Sequence, residues 1–151
     1  MENCRLIYRS TCQDGFIDNA DLRDLIAKSA ENNRAAGITG MLILSGDQFL
    51  QVLEGPAQAV NQLYGFIMAD GRHQDLRLIS YEPIAERYFD DWGMSLVDLY
   101  DLPKPARDLL EHKYSVRDGA ILIPERLHEV YALLLDARFL CQGRPWEDGA
   151  D

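Results

Sequence analysis

Residues 39–55, TGMLILSGDQFLQVLEG, leave the chain few choices of fold. Two apolar runs, MLILS and QFLQVLE, are separated only by Gly46-Asp47. Glycine accepts a positive φ, so the pair reads as a tight turn between two antiparallel strands. Side chains alternate faces along a strand, which puts Phe49, Gln51 and Leu53 on one face and Leu50 and Val52 on the other. Both faces are apolar, so the second strand belongs in the middle of a sheet. Gln51 is the anomaly. A buried amide without partners costs about 1–3 kcal/mol and needs both a donor and an acceptor beside it.

The flanking sequence extends the pattern. CRLIYRS (4–10) reads as a first strand, and residues 20–34 as a helix capped at Asp18 or Asn19 and stopped by Gly37. Gly55-Pro56 closes the second hairpin strand and opens a helix with the stripe Val60, Leu63, Tyr64, Ile67 and Met68. Residues 75–85 and 92–99 read as two further strands. The order is βαββα followed by two strands: an α+β, ferredoxin-like split βαβ sheet with two helices on one face. Prolines at 103 and 105 mark a linker, so residues 1–100 are expected to form the main domain and 101–151 a helical extension. That extension contains a short helix and a longer one over 124–140, with Leu127, Val130, Tyr131, Leu134 and Leu135 on one side. It is expected to cover the open face of the sheet.

Charge narrows the function classes. The formal net charge of −10 repels phosphate backbones and acidic membranes, so neither nucleic acid nor membrane is expected as a partner. No apolar run approaches the roughly 18 residues of a membrane span, and MENCRLIYRS has no signal-peptide pattern. The scattered cysteines Cys4, Cys12 and Cys141 form neither a disulfide framework nor a metal motif, which fits a reducing cytoplasm. His112 and His128 lack partners at ligand spacing, and no metal site is expected.

Two more polar groups point inward. The first helix carries Leu22, Leu25 and Ile26, and then its inward stripe turns polar at Ser29 and Asn33, with Asn32 beside Leu25's row. Tyr8 lies late in the first strand. From spacing alone, a core glutamine satisfied by backbone and a helix end reaching solvent account for these residues as readily as a site does. Taken together, Tyr8, Gln51, Ser29 and Asn33 offer amides and hydroxyls at one end of an apolar slot. Such a slot suits a flat ring with carbonyl and N–H groups along an edge.

Five segments in order, LIYRS, NNRAAGITGMLILS, FLQVLEG, DGRHQDLRLI and YFDDWGMSL, resemble the BLUF domains, sensors of blue light using flavin. The resemblance spans residues 4–99. It implies a flavin held non-covalently between the two helices and no enzymatic activity. By position, Tyr8 matches the family's photoactive tyrosine and Gln51 its switching glutamine. Asn33, with Asn32 beside it, matches the asparagine that grips the ring, and Leu25 and Ser29 would line the same helix face. Asp70, Arg72 and His73 match the segment near the ribityl and phosphate groups, and Trp92 and Met94 the fifth-strand relay. Some members carry an arginine where Phe66 stands, so FMN or riboflavin stands beside FAD as an alternative cofactor. A homo-oligomer and a separate signalling protein are the implied partners.

Two other classes share this architecture. One is a regulatory module that binds a small molecule or partner without photochemistry. The other is an acylphosphatase-type enzyme, which needs an arginine in the loop after the first strand; STCQDGF has none.

Overall fold

The computed structural model describes residues 2–12, 19–71, 73–89 and 93–141, the side chains at 19–26 and 93–95 excepted. The elements are β1 (Asn3–Cys12), α1 (Asn19–Ala35), β2 (Thr39–Ser45), β3 (Gln48–Pro56), α2 (Ala57–Ala69), β4 (His73–Ile84) and β5 (Gly93–Asp98). A 3₁₀ turn (Leu99–Asp101) leads to α3 (Lys104–Lys113), a small hairpin of β6 (Val116–Arg117) and β7 (Ala120–Ile121), and α4 (Leu127–Cys141).

Local chemistry sets the turns. Gly46 has φ +62°, as the β2–β3 hairpin requires. At the end of α1, Ile38 N–H donates to Asn33 O (2.8 Å) and Gly37 N–H to Arg34 O (3.1 Å). Gly37 at φ +78° supplies the left-handed residue of this Schellman cap. Gly55 makes room for it: a Cβ there would lie 2.8 Å from Gly37 O and 3.2 Å from Ile38 Cα.

The five-stranded sheet runs β4-β1-β3-β2-β5, with β3 at its centre. All pairs are antiparallel except β2–β5, which is parallel. This is the ferredoxin-like arrangement expected, with one strand added. One face carries Ile7, Met41, Ile43, Leu50, Val52 and Val97, packed with Leu110 of α3 and Val130, Leu133, Leu134 and Ala137 of α4. Fully burying one such side chain contributes about 1.5–3 kcal/mol, so the extension shares a core with the sheet. On the other face, Cys4, Leu6, Tyr8 and Leu53 pack with Val60, Leu63, Tyr64 and Ile67 of α2 and Ala30 of α1. Leu42, Leu44, Phe49 and Leu96 continue that face.

Three details differ from the sequence reading. Helix α4 starts at Leu127 rather than 124, and the carbonyls of Ile123 (3.2 Å) and Pro124 (3.5 Å) ahead of it accept from Arg9 Nη1, a long-range tie that no local pattern announces. Its inward stripe is Val130, Leu133, Leu134, Ala137 and Cys141, whereas Leu127 and Leu135 are exposed, as Met68 is on α2. The β6–β7 hairpin was not expected. Its turn, Asp118-Gly119, has φ +53° and +79°, and it docks on the β2–β3 turn through Ser45 Oγ donating to Ile121 O (2.5 Å). Among the described residues, no helix is long and apolar enough to cross a membrane.

Candidate functional site

The strand registers set one row of residues across the whole sheet: Leu78, Tyr8, Gln51, Leu42 and Leu96. Tyr8 and Gln51 are the polar members, and both are buried. The Tyr8 hydroxyl donates to Gln51 Oε1. Burial raises the Tyr8 hydroxyl well above its ordinary pKa, and Tyr64 and Asp70 push in the same direction. Tyr8 is therefore a neutral donor at any physiological pH. The ring of Tyr64 lies 5.6 Å from that of Tyr8, tilted by 51°.

His73 opens β4 beside this pair. Its Nδ1 is hydrogen-bonded to Ser10 Oγ (2.8 Å). The imidazole is 5.6 Å from the Phe49 ring and edge-on to Tyr8 at 6.3 Å. Its backbone N–H donates to Asp70 O (3.3 Å). This end of the sheet thus combines a phenol, an amide, an imidazole and a hydroxyl, set among apolar side chains.

Asn33 stands at the end of α1 on the same side of the sheet. It is 6% exposed, yet among the described residues its side-chain amide has no hydrogen-bond partner. Buried amides are nearly always paired. An orphan here is what a ligand with carbonyl and N–H groups would satisfy.

The structure brings Tyr8, Gln51, Asp70 and His73 together, with Asn33 on the same side. Ser29 is half-buried one turn before Asn33, and Asn32 is exposed. Leu25 lies in α1, and Met94 in β5 at the irregularity where Gly93 pairs with Gly40 and Ser95 with Met41. Nothing is described of either side chain. Trp92 and Arg72 lie outside the described residues. Ser10 was not anticipated, nor were the ring contacts of Tyr64 and Phe49 with the site. The hint for Ser10 is its place two residues beyond Tyr8, on the same strand face.

A family described as sensors of blue-light using FAD matches residues 4–95. The chain belongs to this BLUF family. The blue light- and temperature-regulated antirepressor BluF of Escherichia coli (strain K12) is 32% identical over 94 residues, 62% of this chain and 23% of that protein. The alpha subunit of a photoactivated adenylate cyclase from Euglena gracilis is 31% identical over 91 residues, 60% of this chain and 9% of the subunit. The match therefore spans less than a quarter of either relative. Among solved structures, the dark state of the BLUF protein BlrB is 30% identical, with a TM-score of 0.68 over 93% of this chain and 97% of that one. The ground state of BlsA is 25% identical, with a TM-score of 0.73 over 92% and 88%.

BLUF domains bind flavin and sense blue light, and this chain is such a domain. Its residues fit the cofactor. The orphaned Asn33 amide supplies donors and an acceptor for a ring edge, and Gln51 supplies the same pair of roles. The apolar cluster Leu42, Leu44, Phe49 and Leu96 supplies a dry surface for a flat ring.

Proposed function

We propose that the protein is a light switch in which Tyr8 and Gln51 are the moving parts and residues 101–151 carry the output. The observation that supports this most directly is the hydrogen bond from Tyr8 to Gln51 Oε1 in a sheet row that is otherwise apolar. Bound flavin supplies blue-light absorption and, once excited, a strong one-electron oxidant. With flavin bound, Tyr8 would supply the excited ring with an electron and its hydroxyl proton, Gln51 would lie on the proton's path, and both would return from the ring to Tyr8. While Tyr8 is not donating, Gln51 is released to rearrange, by rotation or tautomerisation. An amide suits this task because it donates at one end and accepts at the other; a glutamate or leucine could not exchange roles.

Asn33 would hold the ring, and by the family resemblance Leu25, Ser29 and Asn32 would assist it while Asp70, Arg72 and His73 would serve the ribityl and phosphate groups of FAD. With Phe66 in α2 70% exposed and uncharged, FMN or riboflavin is also accommodated. By the family resemblance, Trp92 and Met94 relay the change. A changed hydrogen bond is worth only about 0.5–1.5 kcal/mol, enough to bias a balanced element and too little to unfold one. The domain is no catalyst, and its message passes to a separate protein or a second copy in the cytoplasm, as the antirepressor activity of one relative suggests.

The test is spectroscopic. The purified protein should be yellow and shift reversibly to the red under blue light. A colourless protein that takes up no added flavin overturns the reading. A yellow protein without a light-induced shift favours a binding module without photochemistry.

A further inference from the structure

On the opposite face of the sheet, three residues along each strand from Tyr8 and Gln51, a second cross-strand pair is tied. Arg5 faces Glu54 in the β1–β3 register, and its Nε donates to Glu54 Oε2 at 2.7 Å. Both residues are buried, Arg5 at 4% exposure and Glu54 at 0%. The Glu54 carboxylate also accepts the backbone N–H groups of Tyr88 (2.9 Å) and Phe89 (2.8 Å), in the segment that joins β4 to β5. Arg5 Nη2 donates to Glu86 O in the same segment (3.2 Å), and its guanidinium lies 4.0 Å over the Tyr88 ring. Arg5 Nη1 reaches Glu82 Oε1 and the Tyr131 hydroxyl of α4, each at 3.3 Å. Tyr131 in turn donates to Glu82 Oε1 (2.7 Å).

We propose that Arg5 and Glu54 are positioning residues for output: they couple the strand pair carrying Tyr8 and Gln51 to the 82–89 segment and, through Tyr131, to α4. The proposal rests on the photosensor reading above. A change in the tie between Tyr8 and Gln51 alters how β1 sits against β3. The Arg5–Glu54 pair spans the same two strands and is shielded from water, so solvent cannot absorb the displacement. The carboxylate is bound to Arg5 and to two backbone N–H groups, and the guanidinium to four groups, on β3, on β4, in the segment after β4 and on α4. These partners must move with the strands or break their bonds. Stability alone is a poor reason for such a cluster, because well-packed apolar residues often hold a core as firmly as a buried ion pair does. The segment it grips precedes β5 in the chain, which gives the β5 route and α4 a common anchor.

Tyr131→Phe is the sharpest test. It deletes the hydroxyl that links α4 to Arg5 and Glu82 and leaves the helix docked through Val130, Leu133 and Leu134. The full chain with flavin bound is compared with the variant, dark and lit, by absorption and by amide hydrogen exchange along α4. The parent should show both the red shift and a several-fold light-dependent change in α4 exchange. The variant should keep the red shift while its lit-to-dark exchange ratio falls to one. An unchanged ratio overturns the proposal. So does a parent with a red shift but no light-dependent exchange in α4, and so does a variant that loses its red shift, because Tyr131 would then act on the photochemistry itself. A parent with no red shift refutes the photosensor reading and the proposal with it, and the absorption trace alone identifies that case. Arg5→Lys, which keeps the charge beside Glu54 without the planar fork, should repeat the Tyr131→Phe result.

Discussion

Tyr8 and Gln51 face each other across the β1–β3 register, and the phenol donates to the amide carbonyl with neither residue more than 6% exposed. Tyr8→Phe removes that donor and leaves the buried Gln51 oxygen without it. The expected result is a fold weakened by about 1–3 kcal/mol that still holds flavin and no longer shifts its absorption in blue light. Denaturant unfolding reads the first effect and an absorption difference spectrum the second. A full red shift in Tyr8→Phe would mean that the electron and proton come from elsewhere.

Gly55 brings two parts of the site together. A Cβ at this position would meet Gly37 O at 2.8 Å, which is backbone and cannot swing aside. Gly55→Ala therefore pushes the α1–β2 turn away from β3, and Asn33, whose carbonyl caps that turn, moves with it. The expected cost is about 1–3 kcal/mol, the usual penalty for forced overpacking, with a weaker hold on flavin. Wild-type flavin affinity in Gly55→Ala would show that the turn can yield without disturbing Asn33.

Stability should fall at alkaline pH. Burial raises the hydroxyls of Tyr8 and Tyr114, and burial followed by the bond to Glu82 pushes Tyr131 up to about 12. The folded state keeps protons that the unfolded state releases near the ordinary tyrosine value of 10.0. The contribution of these groups is thus complete below that pH, declines above it, and for Tyr131 is gone once pH passes about 12. Urea midpoints measured on either side of the tyrosine range check this, and Tyr131→Phe should flatten the decline. Equal slopes in the parent and in Tyr131→Phe would remove Tyr131 from the explanation.

The features legible in the sequence are those whose cause is local. Gly46-Asp47 between two apolar runs announces its hairpin, and Gln51 stands out because strand alternation assigns it a face. The Ser10–His73 bond is not legible, because the β1–β4 register slips between Ile7 and Tyr8 and again between Arg9 and Thr11. Counting along the strands therefore cannot pair those residues. The Arg5–Glu54 cluster is not legible either, because its partners Tyr88, Phe89 and Tyr131 come from the segment after β4 and from α4, far along the chain. In α4 the leucines were legible but their phase was not: Leu133 through Leu135 run consecutively, and only packing shows that Leu135 is the outward one. Asp118-Gly119 is a hairpin signal, but its flanking strands have two residues each, too few for an alternating pattern to show.

Asn33 separates the needs of the fold from those of the cofactor. Its amide is buried, and among the described residues it has no side-chain partner. In the flavin-free protein that arrangement costs about 1–3 kcal/mol, and replacing the amide with an apolar group of similar size removes the cost. Asn33→Leu should therefore leave the flavin-free protein as stable as the parent, or more so. The same substitution should weaken flavin binding by about tenfold or more, because a ring edge loses its hydrogen bonds and a buried polar group on the ligand is left unpaired. Thermal unfolding of the flavin-free form and titration with FAD measure the two effects separately. Loss of stability without loss of affinity would assign Asn33 to the packing of α1 and not to the cofactor.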